Sequence, residues 1–122
     1  MDNNTNYWIV GANWKGVDQS ERFYLRGYWE MGYADEDQPE QAERRNQIKA
    51  GDRIAIKNID GRGSNTITIK ALGIVKDVED KKVYVDWKIT HLNRSVYSNG
   101  LYATIHGPFK FEGEWLHKIF CL

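Results

Sequence analysis

The 122 residues contain a single cysteine, Cys121, so no internal disulfide can form and the core alone must hold the fold. Lys plus Arg and Asp plus Glu are equal at 17 each, which leaves no formal net charge. A general nucleic-acid coat needs an excess of basic groups, so any nucleic-acid role must rest on a local basic face and a specific pocket. No apolar run approaches the length of a membrane span or a signal-peptide core, and we expect a soluble, reducing, cytoplasmic setting without a membrane partner. His91, His106, His117 and Cys121 match none of the usual metal-ligand spacings. Gly61-Arg62-Gly63 lacks the continuation of a P-loop or a dinucleotide motif. Glu79-Asp80-Lys81 has the acid-x-Lys spacing of many metal-dependent nucleases, but it falls in a charged turn with no partner acid at a strand end, where a solvated run is the better reading. Nucleophile, base and orienter converge nowhere. A binding module without cofactor or metal is therefore expected, not an enzyme.

Aromatics are plentiful: they make up 13% of the chain and include five tryptophans. Gly27-Tyr28-Trp29-Glu30-Met31-Gly32-Tyr33 fits neither helical nor strand periodicity and runs into the acidic Asp35-Glu36-Asp37. It reads as an ordered loop. Rigid rings on a short loop fenced by Gly27 and Gly32 make a wall for a flat ligand, or else a plug for one end of a small core. On the first reading Trp29, being open to a pocket, should support little of the core.

The chain is long enough for one domain, residues 1–122, that buries about two thirds of its surface. Tyr7 to Ala12 is an apolar run without strict alternation, which predicts a central strand covered on both faces. After the polar Asn13-Trp14-Lys15-Gly16, Asp18 and Glu21 have capping-box spacing and open a helix that should stop at Gly27. A second helix is expected from Pro39 through Ile48, mostly facing water, with Arg44 and Arg45 followed by Lys49 and Arg53 as the best basic patch. Arg53 to Asn58 alternates with Ile54 and Ile56 inward. From Thr66 the alternation resumes but changes parity between Ala71 and Leu72, predicting a bulge and a bent strand. Glu79 to Lys82 is a charged hairpin turn, and Val83, Val85, Trp87 and Ile89 share one face of the next strand. Asn99-Gly100 marks another turn, and a short amphipathic segment ends the chain. Short strands with tight turns point to a small α+β fold, a twisted and closed or nearly closed β-barrel with short helices over one end.

Several of these segments together resemble the PUA-like superfamily, in particular its EVE and YTH branches, which read modified nucleobases. The carriers are the first strand leading to Asn13, then Gly27-Tyr28-Trp29, Gly51-Asp52-Arg53-Ile54-Ala55-Ile56 and Val85-Asp86-Trp87. With Gly-Tyr-Trp-Glu-Met-Gly-Tyr and His106-Gly107-Pro108-Phe109, residues 7 to 109 are most similar to the EVE-like domains at the N-terminus of McrB-type restriction GTPases. The resemblance implies that Trp29 and Trp87 sandwich a flipped, methylated base and that Asn13 binds its edge. Trp14 is a further candidate wall, and Glu30, Tyr33 and Asp35 candidate contacts. Arg44, Arg45, Lys49, Arg53 and Arg62 are the candidate phosphate contacts. The implied partner is DNA carrying a modified base, cytosine-derived or N6-methyladenine. The domain would be the first of a longer protein, with a GTPase motor and a partner nuclease outside this chain. A stand-alone RNA reader of N6-methyladenine is the alternative, and a PUA-like domain for free nucleosides a third.

Overall fold

The computed structural model describes residues 4–61 and 63–121, so the expected contact Arg62 lies outside them. In chain order come β1 (Tyr7–Gly11), β2 (Asn13–Trp14), β3 (Val17–Asp18), α1 (Ser20–Arg26), β4 (Tyr28–Glu30) and α2 (Pro39–Arg45). They are followed by β5 (Arg53–Ile59), β6 (Thr66–Glu79), β7 (Lys82–Ile89), β8 (Arg94–Tyr97), β9 (Ile105–Phe109) and α3 (Glu114–Phe120). One mixed sheet runs β4-β7-β6-β5-β1-β9, with β8 also paired to β6. As expected, β1 is central, parallel to β5 and antiparallel to β9. The sheet curls into a half-barrel rather than a closed barrel, because β4 and β9 have no strand on their outer sides among the described residues.

The curl has a local cause in β6, a strand of 14 residues. Against β5 its register shifts between Ile56 and Lys57, which leaves Lys70 as the extra residue. Against β7 it shifts between Leu72 and Gly73, which leaves Lys88 as the extra residue. Each unmatched residue bends and coils the sheet. The parity change visible in the sequence is this feature, for Ile67, Ile69 and Leu72 pack in one cluster whereas Ala71 and Val75 pack in the other. Gly73 is required at the bend, since a Cβ there would run into the Val85 side chain and lie 3.0 Å from the Asp86 carbonyl.

Two clusters of buried side chains follow. Trp8, Val10, Ile54, Ile56, Val83 and Val85 pack with Phe23 of α1 and Ala42 of α2. Ile9, Ala55, Ile67 and Ile69 pack with Leu116 and Ile119 of α3. The helices are thus divided between the two clusters instead of sitting over one end, and β1 and β5 contribute to both. Each fully buried Ile or Leu contributes about 1.5–3 kcal/mol by leaving water.

Local signals explain the connections. Gly27 takes the left-handed conformation (φ 74°) and its N–H bonds back to the Phe23 carbonyl, ending α1. The expected capping box does not form: the residue capping α1 is Gln19, which makes no side-chain cap bond, while Asp18 accepts from the Ser20 amide at 2.9 Å in a local turn and Glu21 reaches away to His91 at 2.5 Å. Asp80 and Lys81, both at positive φ, make the two-residue turn between β6 and β7. The stretch expected as a loop is in part an edge strand, with Tyr28 opposite Tyr84, Trp29 opposite Val83 and Glu30 opposite Lys82. No helix of the described residues is long and apolar enough to cross a membrane.

Candidate functional site

The expected base sandwich is not present as drawn from the sequence. Trp29 is 0% exposed, and its Nε1 donates to the Gly11 carbonyl at 2.8 Å. Trp87 is half-buried, its Nε1 donates to the Phe23 carbonyl at 3.0 Å, and its ring meets Tyr24 edge-on at 5.7 Å. Trp29 stands opposite Val83, four residues before Trp87, so the two positions are separated by about 13 Å along β7. A base between two rings needs them roughly 7 Å apart, two van der Waals contacts. Trp29 is therefore a core residue, in phase with the inward side of β7.

The acidic and basic candidates are largely occupied with one another. Arg45 is 3% exposed and holds Asp35 with a bidentate pair at 2.7 and 2.8 Å. This guanidinium, with Lys81 beyond it, lowers the Asp35 carboxyl to about 2. Arg45 is corrected from phosphate contact to structural anchor, and Asp35 from base contact to its partner. Glu30 lies between Arg22 at 3.6 Å and Lys82 at 4.0 Å. Arg44 donates to the Ile105 carbonyl at 2.8 Å, tying α2 to β9. Lys49 pairs with Asp52 at 2.7 Å. Arg53 donates to the Gly51 carbonyl and borders a cleft of about 240 Å³ walled by Tyr7, Phe111 and Phe120. The expected basic face is thus dispersed, its members serving turns and element contacts.

Asn13 and Tyr33 do come together. They border a cleft of about 310 Å³ at the ends of β1 and β5, with Gly11, Lys15, Lys57 and Asn58. Its size is at the lower end of the range for ligand pockets. The β2–β3 hairpin forms one side, with Lys15 at positive φ in its turn. Trp14 positions the opposite side: its indole lies against Gly32 so closely that a Cβ there would overlap the ring, and the Arg22 guanidinium stacks on it at 4.6 Å. Gly32 is thus fixed by close approach, and the next residue, Tyr33, is 45% exposed at the cleft. Trp14 Nε1 is itself buried without a hydrogen-bond partner among the described residues. Trp29 supports the floor through its bond to Gly11.

Lys57 distinguishes this cleft. It is 4% exposed and stands in the sheet opposite Gly11 of β1 and Ile69 of β6, while its ammonium makes no hydrogen bond or ion pair among the described residues. Burial lowers its pKa from 10.5 to about 8. His106 of β9 feels the same surroundings: burial, then the charges of Lys57 and Arg44, lower it to about 4, and its Nε2 accepts from the Ala103 amide at 2.9 Å. No carboxylate is among the residues that border the cleft.

The Lys57 charge should cost stability. Below about pH 8 both folded and unfolded chains hold its proton, so the full cost, roughly 3 kcal/mol, is present at pH 7. Between about 8 and 10.5 the folded chain has released a proton that the unfolded chain still holds, and stability rises with pH. Lys57→Met, close to Lys in volume and uncharged, is expected to raise the unfolding free energy by roughly that amount at pH 7 and to remove the rise. Denaturant melts across this pH range check both; equal stability of the two proteins at pH 7 would show that the ammonium is compensated.

Sequence reasoning missed Lys57 because it sits on the nominally polar side of an alternating strand. The one signal was Ala55 between Ile54 and Ile56, an apolar residue on that same side. Among the described residues no three His, Cys, Asp or Glu side chains gather as a metal site would require. Comparison of the chain with protein-family models, with curated proteins and with solved structures finds no match.

Proposed function

We propose that this chain is a binding module that takes a modified base of DNA, flipped from the duplex, into the cleft between Asn13 and Tyr33. The observation that supports this reading most is the cleft's chemistry: an exposed ring, two amides and two lysines, with no carboxylate, in a chain of zero net charge. A flat, polar, negatively charged ligand complements it. The resemblance to EVE and YTH domains points the same way, with Asn13 retained at the base edge and Tyr33 taking the stacking role that Trp29 cannot fill. In that setting the domain supplies recognition for a modification-dependent restriction system, and motor and nuclease lie outside this chain.

Energetics constrain how it would work. Stacking on one ring contributes about 1–3 kcal/mol, while extruding a base costs a few kcal/mol. Tyr33 alone at best roughly offsets the flip, so phosphate contacts have to contribute the affinity. Burying one methyl adds only about 0.8 kcal/mol. Discrimination therefore comes from shape and from polar groups, Asn13 foremost, that a wrong base leaves unpaired.

Tyr33→Ala and Asn13→Ala are each expected to weaken binding of a methylated duplex by about 1–3 kcal/mol. Because both side chains are exposed, stability should stay within about 0.5 kcal/mol of the parent. Fluorescence titration with methylated and unmethylated duplexes, and with RNA of the same sequence, measures this. Parental affinity in both variants places the base elsewhere.

A further inference from the structure

We propose that Lys57 is a phosphate-binding residue, and that the cleft takes a nucleotide with its phosphate seated inside on Lys57 Nζ. The inference rests on the cleft being the nucleotide site and names which part of the nucleotide Lys57 holds.

The ammonium carries three donors and a full charge, and among the described residues nothing answers either. An isolated buried charge is held at a substantial cost, and it persists only where something else compensates it. Here the side chain is not sealed off, for it borders the cleft. Its Nζ lies beside Gly11, another residue of the cleft, for a Cβ built there would be in ordinary contact with Nζ at 3.8 Å. What enters must bring acceptors, because an ammonium donates and does not accept. A neutral base edge would satisfy hydrogen bonds and leave the charge uncompensated; a phosphate oxygen does both.

The surroundings favour the anion further. Lys15 borders the same cleft and no Asp or Glu does. The neighbouring His106 is held neutral at ordinary pH, partly by the charges of Lys57 and Arg44, so the local field is positive even where the chain as a whole is neutral. A second lysine at the mouth and a buried one beneath would grip successive oxygens of one phosphate. Tyr33 on the facing wall leaves the base its stacking partner.

The phosphate could belong to a free mononucleotide or to a polynucleotide backbone, and the test separates them. Calorimetric titrations of parent and Lys57→Met would use N6-methyldeoxyadenosine and 5-methyldeoxycytidine, each with and without a 5′-phosphate. Deoxyribose 5-phosphate, inorganic phosphate and a methylated oligonucleotide complete the set. The parent is expected to bind at least one 5′-monophosphate tenfold or more tightly than its nucleoside, with inorganic phosphate competing. Lys57→Met should lose that tenfold preference, nucleoside and 5′-monophosphate then binding alike. Because the variant removes a destabilising charge, it should fold, and a thermal melt confirms that. Equal affinity for nucleoside and nucleotide in the parent, a preference that survives in Lys57→Met, or no binding of any phosphate-bearing probe at millimolar concentration overturns the proposal. If deoxyribose 5-phosphate binds as tightly as every nucleotide and depends on Lys57, the phosphate site stands and the base-binding reading fails. Binding of the oligonucleotide but no mononucleotide, lost in Lys57→Met, assigns the phosphate to the backbone.

Discussion

Trp29→Ala is expected to lower the unfolding free energy by about 3–5 kcal/mol, the range for emptying a large aromatic site in a packed core. The indole is completely buried and belongs to the same cluster as Trp8, Phe23 and Val83. Its Nε1 also supplies a hydrogen bond at 2.8 Å to the Gly11 carbonyl, at the inner end of the cleft. Removing the ring leaves a cavity and takes that bond from Gly11. Because β4 has three residues and among the described residues pairs only with β7, little else holds it. Binding should fall as well, through loosening of the end of β1 rather than through a lost contact. Denaturant melts distinguish the two origins. A ring that stacks on ligand in an open pocket would lose affinity at parental stability; a core ring loses stability first. An unfolding free energy within about 0.5 kcal/mol of the parent would contradict the burial of Trp29.

The misreading of Trp29 shows where sequence signals run out. Three strand residues between Gly27 and Met31 are too few to display a period of two, and their partners, Val83 and its neighbours, lie more than fifty positions away. Long periodic runs were legible: β7 has the bounds that the alternation of Val83, Val85, Trp87 and Ile89 indicates. The bulge in β6 was legible too, because a parity change is itself periodic information. Burial on both sides of a strand was harder. It could be read for β1, where apolar residues are consecutive, but in β5 the alternating Arg53-Ile54-Ala55-Ile56-Lys57 suggested a solvated polar side, and α3 covers that side from the far end of the chain. Arg45 failed for the same reason, since its partner Asp35 sits ten residues earlier in an irregular segment that no spacing rule reaches. Of the site, Asn13 and Tyr33 were named from sequence and border the cleft, whereas Trp29 and Asp35 are engaged elsewhere and Lys57 was passed over.

A residue to which the sequence assigned no role of its own carries the other large expected effect. Asp52 is 0% exposed at the start of β5, and every donor around it converges on its carboxylate. Oδ2 accepts from Trp8 Nε1 at 2.9 Å and from the Lys49 amide at 3.1 Å; Oδ1 accepts from the Asn6 amide at 3.1 Å and from Lys49 Nζ at 2.7 Å. It thereby fastens the chain before β1, the indole of Trp8 and the turn after α2 to one point beside the pairing of Arg53 with Tyr7. Charge-assisted bonds of this kind contribute about 1.5–3 kcal/mol each, and a buried donor left unmatched costs about 1–3 kcal/mol. Such terms do not add fully within one network, so Asp52→Ala is expected to cost on the order of 4 kcal/mol. Asp52→Asn should do little better, because both oxygens only accept, and the amide NH2 must face either the Trp8 and Lys49 donors or those of Asn6 and the Lys49 ammonium. Denaturant melts of the two variants give the magnitudes. Hydrogen exchange at the amides of Asn6 and Lys49 gives the cause: both should lose protection in both variants. If Asp52→Asn matches the parent in stability, the four bonds do not act as a unit, and the register of β1 against β5 is held by packing of Trp8 and Ile54 alone.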